Sequence, residues 1–358
     1  MKLESWKRFK QMALYGRKDS VQKEASVKPD QVVTALIVDS PWIPGFVGIS
    51  HLDYFLFPDQ WMDANLFIEE KFPELIFLPG FWVEYGMAIE PSALGCKITW
   101  WKDHPPSAHP MIHDISEVSR VKVPHPKEDG LMPFALTLYR HAEKRLRDHG
   151  HHIKMVAARG PLVTAAHLCG LTEFLINLKL SPKETKTLLE TTTKTVILWL
   201  QAQMDNLSEV EGVMVLDDIV GLLSPNDYME FAHPYLQEIF ASFQGMVKVY
   251  HNDSGINHIL EKLVETGFHV LNFSHLLDIG EVWEKVGGQI CLMGNVPPLD
   301  ALAQGTPDDV RSLATQCILK TAGGRGLILS AGGGVSPDTP ANNLKALIEA
   351  SRSAVKDA

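Results

Sequence analysis

Apolar residues in this chain gather into short unbroken runs, separated by longer stretches in which they recur every three or four positions. The runs are Gln31–Asp39, Glu74–Gly80, His152–Arg159, Glu211–Asp218, Met246–His251, His269–His275, Gln289–Asn295 and Gly326–Gly332. Each carries consecutive apolar residues rather than strict alternation. That is the mark of strands covered on both faces, and hence of a parallel sheet. Helical patterns lie between them. Phe134–Asp148 is amphipathic. Ser181-Pro182, Ser224-Pro225, Thr306-Pro307 and Thr339-Pro340 each set an N-cap hydroxyl before a first-turn proline, predicting helices that run to about Leu207, Phe243, Thr321 and Val355.

Eight strands mostly followed by helices predict a single (β/α)8 TIM barrel. An open doubly wound sheet competes, but no GxGxxG follows the first strand. No Pro/Gly/Ser linker interrupts the alternation, so residues 1–358 read as one domain, with 1–30 as its N-terminal helical extension. Trp82–Pro126 reads as an insertion over the barrel mouth, with Cys96–Asp103 as a hairpin strand.

Composition narrows the class. Hydrophobic residues make up 45% and charged residues 21%, as in a soluble globular protein. No apolar stretch is long enough for a membrane span, and the charged start lacks a secretory core. A net charge of −10 argues against a nucleic-acid partner. Four scattered cysteines make no disulfide framework, which points to a reducing, cytoplasmic compartment.

In a parallel barrel, chemistry sits at the C-terminal strand ends. Those ends are polar here: Arg159; Asp217-Asp218; His251-Asn252-Asp253-Ser254; Asn272 to His275; Asn295; and Gly332-Gly333-Gly334. Asp217, Asp218, His251, Asp253 and His275 come from three neighbouring strands. Two imidazoles and several carboxylates in one mouth can hold a first-row metal or form an acid/base pair without one. Read singly, Asp217 or Asp218 also suits a turn cap, and His275 suits packing under a loop. The glycine triplet is either an anion cradle or a tight turn. His151-His152 precedes a strand and reads as solvent-facing, as do Lys7, Arg8, Lys10, Arg17 and Lys18. Trp42, Trp100 and Trp101 read as packing.

The strand-end segments Gly160–Gly170 (GPLVTAAHLCG), Leu223–Leu236, His251–Gly255 (HNDSG), Gly294–Val310 and Ser330–Leu344 resemble the uroporphyrinogen decarboxylase superfamily. They look most similar to its corrinoid-dependent branch, the methylcobalamin:coenzyme M type methyltransferases. The resemblance runs from about Arg159 to the C-terminus and implies a single (β/α)8 barrel. The decarboxylases carry an RQAGRY segment; here the corresponding region, Val38–Gly48, reads VDSPWIPGFVG. Their Tyr and late His fall at His167 and Gly333. The methyltransferase branch holds zinc with H-x-C and a distant Cys. Here these positions are His251, Asp253 and Gly333, so one ligand is kept and two thiolates are absent. Asp217, Asp218, Glu230 or His275 are the residues left to complete a harder nitrogen and oxygen site.

Taken together, the strand ends and the resemblance suggest catalytic roles for His251, Asp217, Asp218 and His167. They suggest substrate binding by Arg159, Asn295, Gly332 and Gly333, and metal binding by His251, Asp253, His275 and Glu230. The expected activity is methyl transfer on a small O- or N-methylated compound. Zn²⁺ is the expected metal, and methylcobalamin on a corrinoid protein, or a folate partner, the methyl carrier. A homodimer is the assembly common in the superfamily. A carboxy-lyase acting on a small acid, and a non-catalytic barrel that binds a tetrapyrrole or corrinoid, are the alternatives.

Overall fold

The computed structural model describes residues 1–15 and 32–353. All eight predicted strands form: β1 Val33–Ile37, β2 Ile76–Leu78, β5 Met155–Arg159, β6 Gly212–Leu216, β7 Val247–Asn252, β8 Val270–Phe273, β9 Cys291–Val296 and β10 Leu327–Ala331. Two short strands between them, β3 (Lys97–Thr99) and β4 (Ser107–His109), make the predicted hairpin. The eight long-range strands are parallel and hydrogen-bonded in the order β2-β1-β10-β9-β8-β7-β6-β5. This is a nearly closed (β/α)8 barrel, with β2 and β5 flanking its seam. At the seam the Met1 amino group donates to the His152 carbonyl at 2.9 Å, and His152 N–H donates to the Met1 carbonyl at 2.8 Å.

Strand side chains alternate between two cores. Val33, Ala35, Ile37, Met155, Ala157, Met214, Leu216, Val247, Val249, Val270, Met293 and Ile328 fill the lumen. Val213, Val215, Tyr250, Leu271 and Leu292 face the helical layer. The helix Leu3–Ala13 belongs to the lumen core: Trp6, Phe9 and Met12 are buried beneath the barrel, and a Cβ on Gly212 would meet the Trp6 ring at 3.0 Å. Lys10 on this helix is bonded to Glu211 at 2.7 Å, so it is engaged rather than merely solvated. Arg17 and Lys18 lie outside the described residues, as does the part of the 1–30 extension from residue 16 onward.

The predicted helix after Ser224 is broken at Ala232 into Pro225–Phe231 and His233–Ser242, because Pro234 opens a new first turn. Ser224 and Thr306 cap as expected, and Thr306 closes a full capping box with Asp309. Ser181 and Thr339 do not: Ser181 makes no side-chain cap bond, and the Thr339 hydroxyl donates to Ser336 O. His151 is not solvent-facing. It is buried at the seam, 3.6 Å from Glu69, and burial pushes it down to about 4. Trp42 packs in the core as expected.

The segment after Trp82 covers part of the mouth. Glu90 accepts from Arg159 N at the tip of β5, and Met111 and Ile112 both donate to Leu168 O. All four cysteines are buried and unpaired. No single helix among the described residues is long and apolar enough to cross a membrane.

Candidate active site

The alternation that fills the lumen carries Arg159, Asp218, His251 and Asn272 to its open end. They share parity with Ala157, Leu216, Val249 and Val270. Asn272 is fully buried on β8. Its amide nitrogen donates to Met293 O at 2.9 Å and Ala331 O at 3.0 Å. Both partners are carbonyls, so this atom must be the nitrogen, and the other amide atom is the acceptor. That oxygen lies 2.7 Å from His251 Nδ1. Nδ1 therefore carries a proton, so in the neutral imidazole the lone pair is on Nε2, directed away from Asn272, to the side on which Asp218 lies.

Asp218 Oδ1 stands 3.6 Å from His251 Nε2 and accepts from Asp253 N at 3.0 Å. Ligand atoms of Asp218, His251 and Asp253 all lie within 4.8 Å of one another. The turn that brings Asp253 back is braced. Ser254 N donates to Asn252 Oδ1 at 2.9 Å, the Ser254 hydroxyl to Asp218 O at 2.8 Å, and the Asn252 amide to Asp217 O at 2.6 Å. Gly221 permits this approach, since a Cβ there would sit 2.0 Å from Ser254 Oγ. The Asp253 carboxyl is raised from its ordinary value, first by desolvation within the mouth and then by the Asp218 carboxylate. One nitrogen and two carboxylates suit a first-row metal with hard preferences. Gly333 lies against the same group: a Cβ there would be 3.4 Å from Asp253 Oδ2.

The other candidates lie elsewhere. Asp217 has the opposite parity to Asp218 and is fully buried. Its two oxygens accept from Leu162 N at 2.8 Å and Val163 N at 3.0 Å, capping the helix Pro161–Cys169. Burial pushes it up to about 8 against the pull of those donors. It is a cap and does not reach the reacting space. Glu230 points outward, half exposed and paired with Lys186 at 2.7 Å. Its place in the first turns of a helix does not turn it to the mouth. His275 is half-buried with Nδ1 unpartnered and stays outside the metal-ligand group. The Asn295 amide is spent on Ser274 O and Leu277 O. Gly332 N donates to Val296 O, so that N–H is not free for an anion; a Cβ on Gly332 would lie 2.5 Å from His275 N, so the tight turn is what requires this glycine.

Three carboxyls that the strand-end pattern leaves unmarked border Arg159. Asp39, in the parity of Ile37, is raised by burial and held back by Arg159 and His251. Glu84 accepts from Ser40 N at 2.9 Å and is pushed up to about 8, by burial and then by Asp39. Glu90 is raised by burial. His167 is pushed down to about 4, by burial and then by Arg159, and is a neutral imidazole.

The family model for uroporphyrinogen decarboxylase (URO-D) matches residues 78–354. This chain belongs to the uroporphyrinogen decarboxylase family. The match extends well before Arg159, where the sequence resemblance began. A uroporphyrinogen decarboxylase of Prochlorococcus marinus is 34% identical over 152 residues, 40% of this chain and 41% of that protein. Another, of Parasynechococcus marenigrum, is 32% identical over 175 residues, 47% of each chain. The chain thus spans less than half the length of either. A third, of Hamiltonella defensa, is 26% identical over 270 residues, covering 73% of this chain and 74% of the relative. Among solved structures, a methyltransferase from Methanosarcina mazei superposes with a TM-score of 0.77 at 22% identity, over 90% of this chain and 94% of that one. At that identity the likeness speaks for the barrel alone.

Proposed function

We propose that this family member is a methyltransferase acting on a small O- or N-methylated compound, with a corrinoid protein or folate partner as methyl carrier. The observation that carries the reading is the His251 Nε2 lone pair, fixed by Asn272 and set among the Asp218 and Asp253 carboxylates. These three side chains are the set that would hold zinc. When bound there, the metal supplies Lewis acidity to an oxygen or sulfur of the acceptor or substrate. His251 and the two carboxylates supply the ligand set and its orientation. With Asp253 and Gly333 where the resemblance expects thiolates, the site is harder and favours oxygen-bearing substrates.

The names of the curated relatives favour a second reading, a carboxy-lyase in which the unprotonated His251 Nε2 works as a base beside Asp218. Elemental analysis and His251→Ala separate the two. Methyl transfer with about one zinc per chain, and marked metal loss in His251→Ala, is the expected result. A metal-free wild type that is active only with His251 intact favours the lyase. Enzymatic formation of coproporphyrinogen from uroporphyrinogen would overturn the methyltransferase reading.

A further inference from the structure

Arg159 is the most anomalous side chain of the mouth. It is 6% exposed, and no hydrogen bond or ion pair of its guanidinium occurs among the described residues; its Nε is buried without a partner. A guanidinium with its Nε buried and unpartnered is a cation whose partner is missing from the fold. The three nearby carboxyls do not fill that place. Glu90 spends an oxygen on the Arg159 backbone N–H and Glu84 spends one on Ser40 N, and no ion pair joins Asp39 to the guanidinium. Burial raises all three above the ordinary carboxylate range while Arg159 pulls them back, and among the described residues none is paired with the guanidinium. The guanidinium carbon lies over the Trp82 ring, 5.0 Å from its centroid, and Trp82 belongs to the lumen core. The ring holds the flat cation in place. His167 Nε2 is also buried without a partner, and His167 lies close enough for the Arg159 charge to act on it.

We propose that Arg159, seconded by His167, is the anchor for a carboxylate of the substrate, so that the compound transformed is a small carboxylic acid. The substrate assignment rests on the functional reading above; the anion site itself does not. A planar fork of N–H donors matches a carboxylate. The register also fixes the reach. Arg159 is level with Leu216 on β6, and Leu216 with His251 on β7. Two strand spacings separate Arg159 from His251, about 10 Å between backbones. A compact acid held at Arg159 therefore presents its far end to His251, Asp218 and Asp253.

The test uses the full-length protein as purified. Methoxyacetate and 4-methoxybenzoate, each against its neutral amide, are titrated by calorimetry and by tryptophan fluorescence, Trp82 being the ring under the guanidinium. At least one carboxylate should bind about 10-fold or more tightly than its amide. Arg159→Gln should abolish that preference and Arg159→Lys should keep part of it. Equal binding of acid and amide in both pairs, no carboxylate binding at all, or an unchanged preference in Arg159→Gln each overturns the proposal. If Arg159→Gln does not fold, phenylglyoxal labelling of the wild type decides: the carboxylates should protect Arg159, and unprotected labelling refutes the site. Zinc uptake is measured in parallel on the wild type and Arg159→Gln. Uptake should be the same in both, and its absence from the wild type sinks the metal reading while leaving the carboxylate result standing.

Discussion

Replacing Asn272 by Ala removes three buried hydrogen bonds at once. The His251 N–H loses its acceptor, and Met293 O and Ala331 O each lose a side-chain donor. Ala331 O and the imidazole N–H each cost about 1–3 kcal/mol when left unpaired in a site this dry, and Met293 O, which keeps its ladder bond from β8, adds less. The sum, about 3–6 kcal/mol with partial rehydration of the gap, corresponds to a fall of about 5–10 °C in melting midpoint for a chain of this size. The proton on His251 is then free to move to Nε2, which closes the lone pair to a metal. Loss of such an outer partner weakens metal binding by about 10- to 100-fold. Asn272→Asp divides the two effects. Its carboxylate still accepts from Nδ1–H but repels the two carbonyls, so it should melt low while recovering much of the zinc affinity. Melting curves and chelator-competition titrations read both quantities. If Asn272→Ala melts and binds zinc as the wild type does, the tautomer argument is wrong. If Asn272→Asp binds zinc as poorly as Asn272→Ala, the acceptor is not what matters.

Glu84→Gln should stabilise the fold at alkaline pH. Its carboxyl is raised in the folded state to about 8, so the protonated form is favoured; that stability is complete below pH ~4.5 and is lost as the pH climbs through 8. The melting midpoint of the wild type should decline relative to Glu84→Gln across this window, and parallel curves contradict the assignment. Gly333→Cys adds a thiol beside Asp253 at some backbone cost, since φ is +134 there. Cobalt(II) loaded into that variant should show a sulfur charge-transfer band that the wild type lacks. Trp6→Ala empties the base of the lumen and should cost about 3–5 kcal/mol in urea unfolding, with little change in zinc uptake. His251→Ala leaves Asn272 Oδ1 without its donor and opens a gap where His251 is only 5% exposed, so it should also melt lower.

All eight strands were legible because each is covered on both faces, which writes an uninterrupted apolar run into the sequence. The same runs also hold the distinction between the tandem aspartates. Asp218 continues the series Met214, Leu216 that fills the lumen; Asp217 continues Val213, Val215, which faces the helices. Asp39 could have been found in this way, since it follows Val33, Ala35 and Ile37. The rule fails at Asn295, which by parity belongs to the lumen yet bonds Ser274 O and Leu277 O. Glu84 comes from irregular chain over the mouth and Glu90 from a helix of only five residues, Ile89–Ala93, too short for a period to mark which way a side chain turns. The role of Asn272 depends on two carbonyls from β9 and β10, a tertiary fact that local pattern does not carry.

The stopper formed by Trp6, Phe9 and Met12 has a kinetic consequence. A lumen closed at its base and packed along its length leaves one doorway among the described residues, so reactant and spent compound travel the same route in opposite directions. The departing compound then competes directly with the next arrival, and steady-state inhibition by it should be competitive. With a corrinoid protein as the methyl carrier, the proposed reaction requires that protein to dock on that same face. The small compound must therefore enter before the carrier seats and leave after it departs, which makes the turnover strictly ordered.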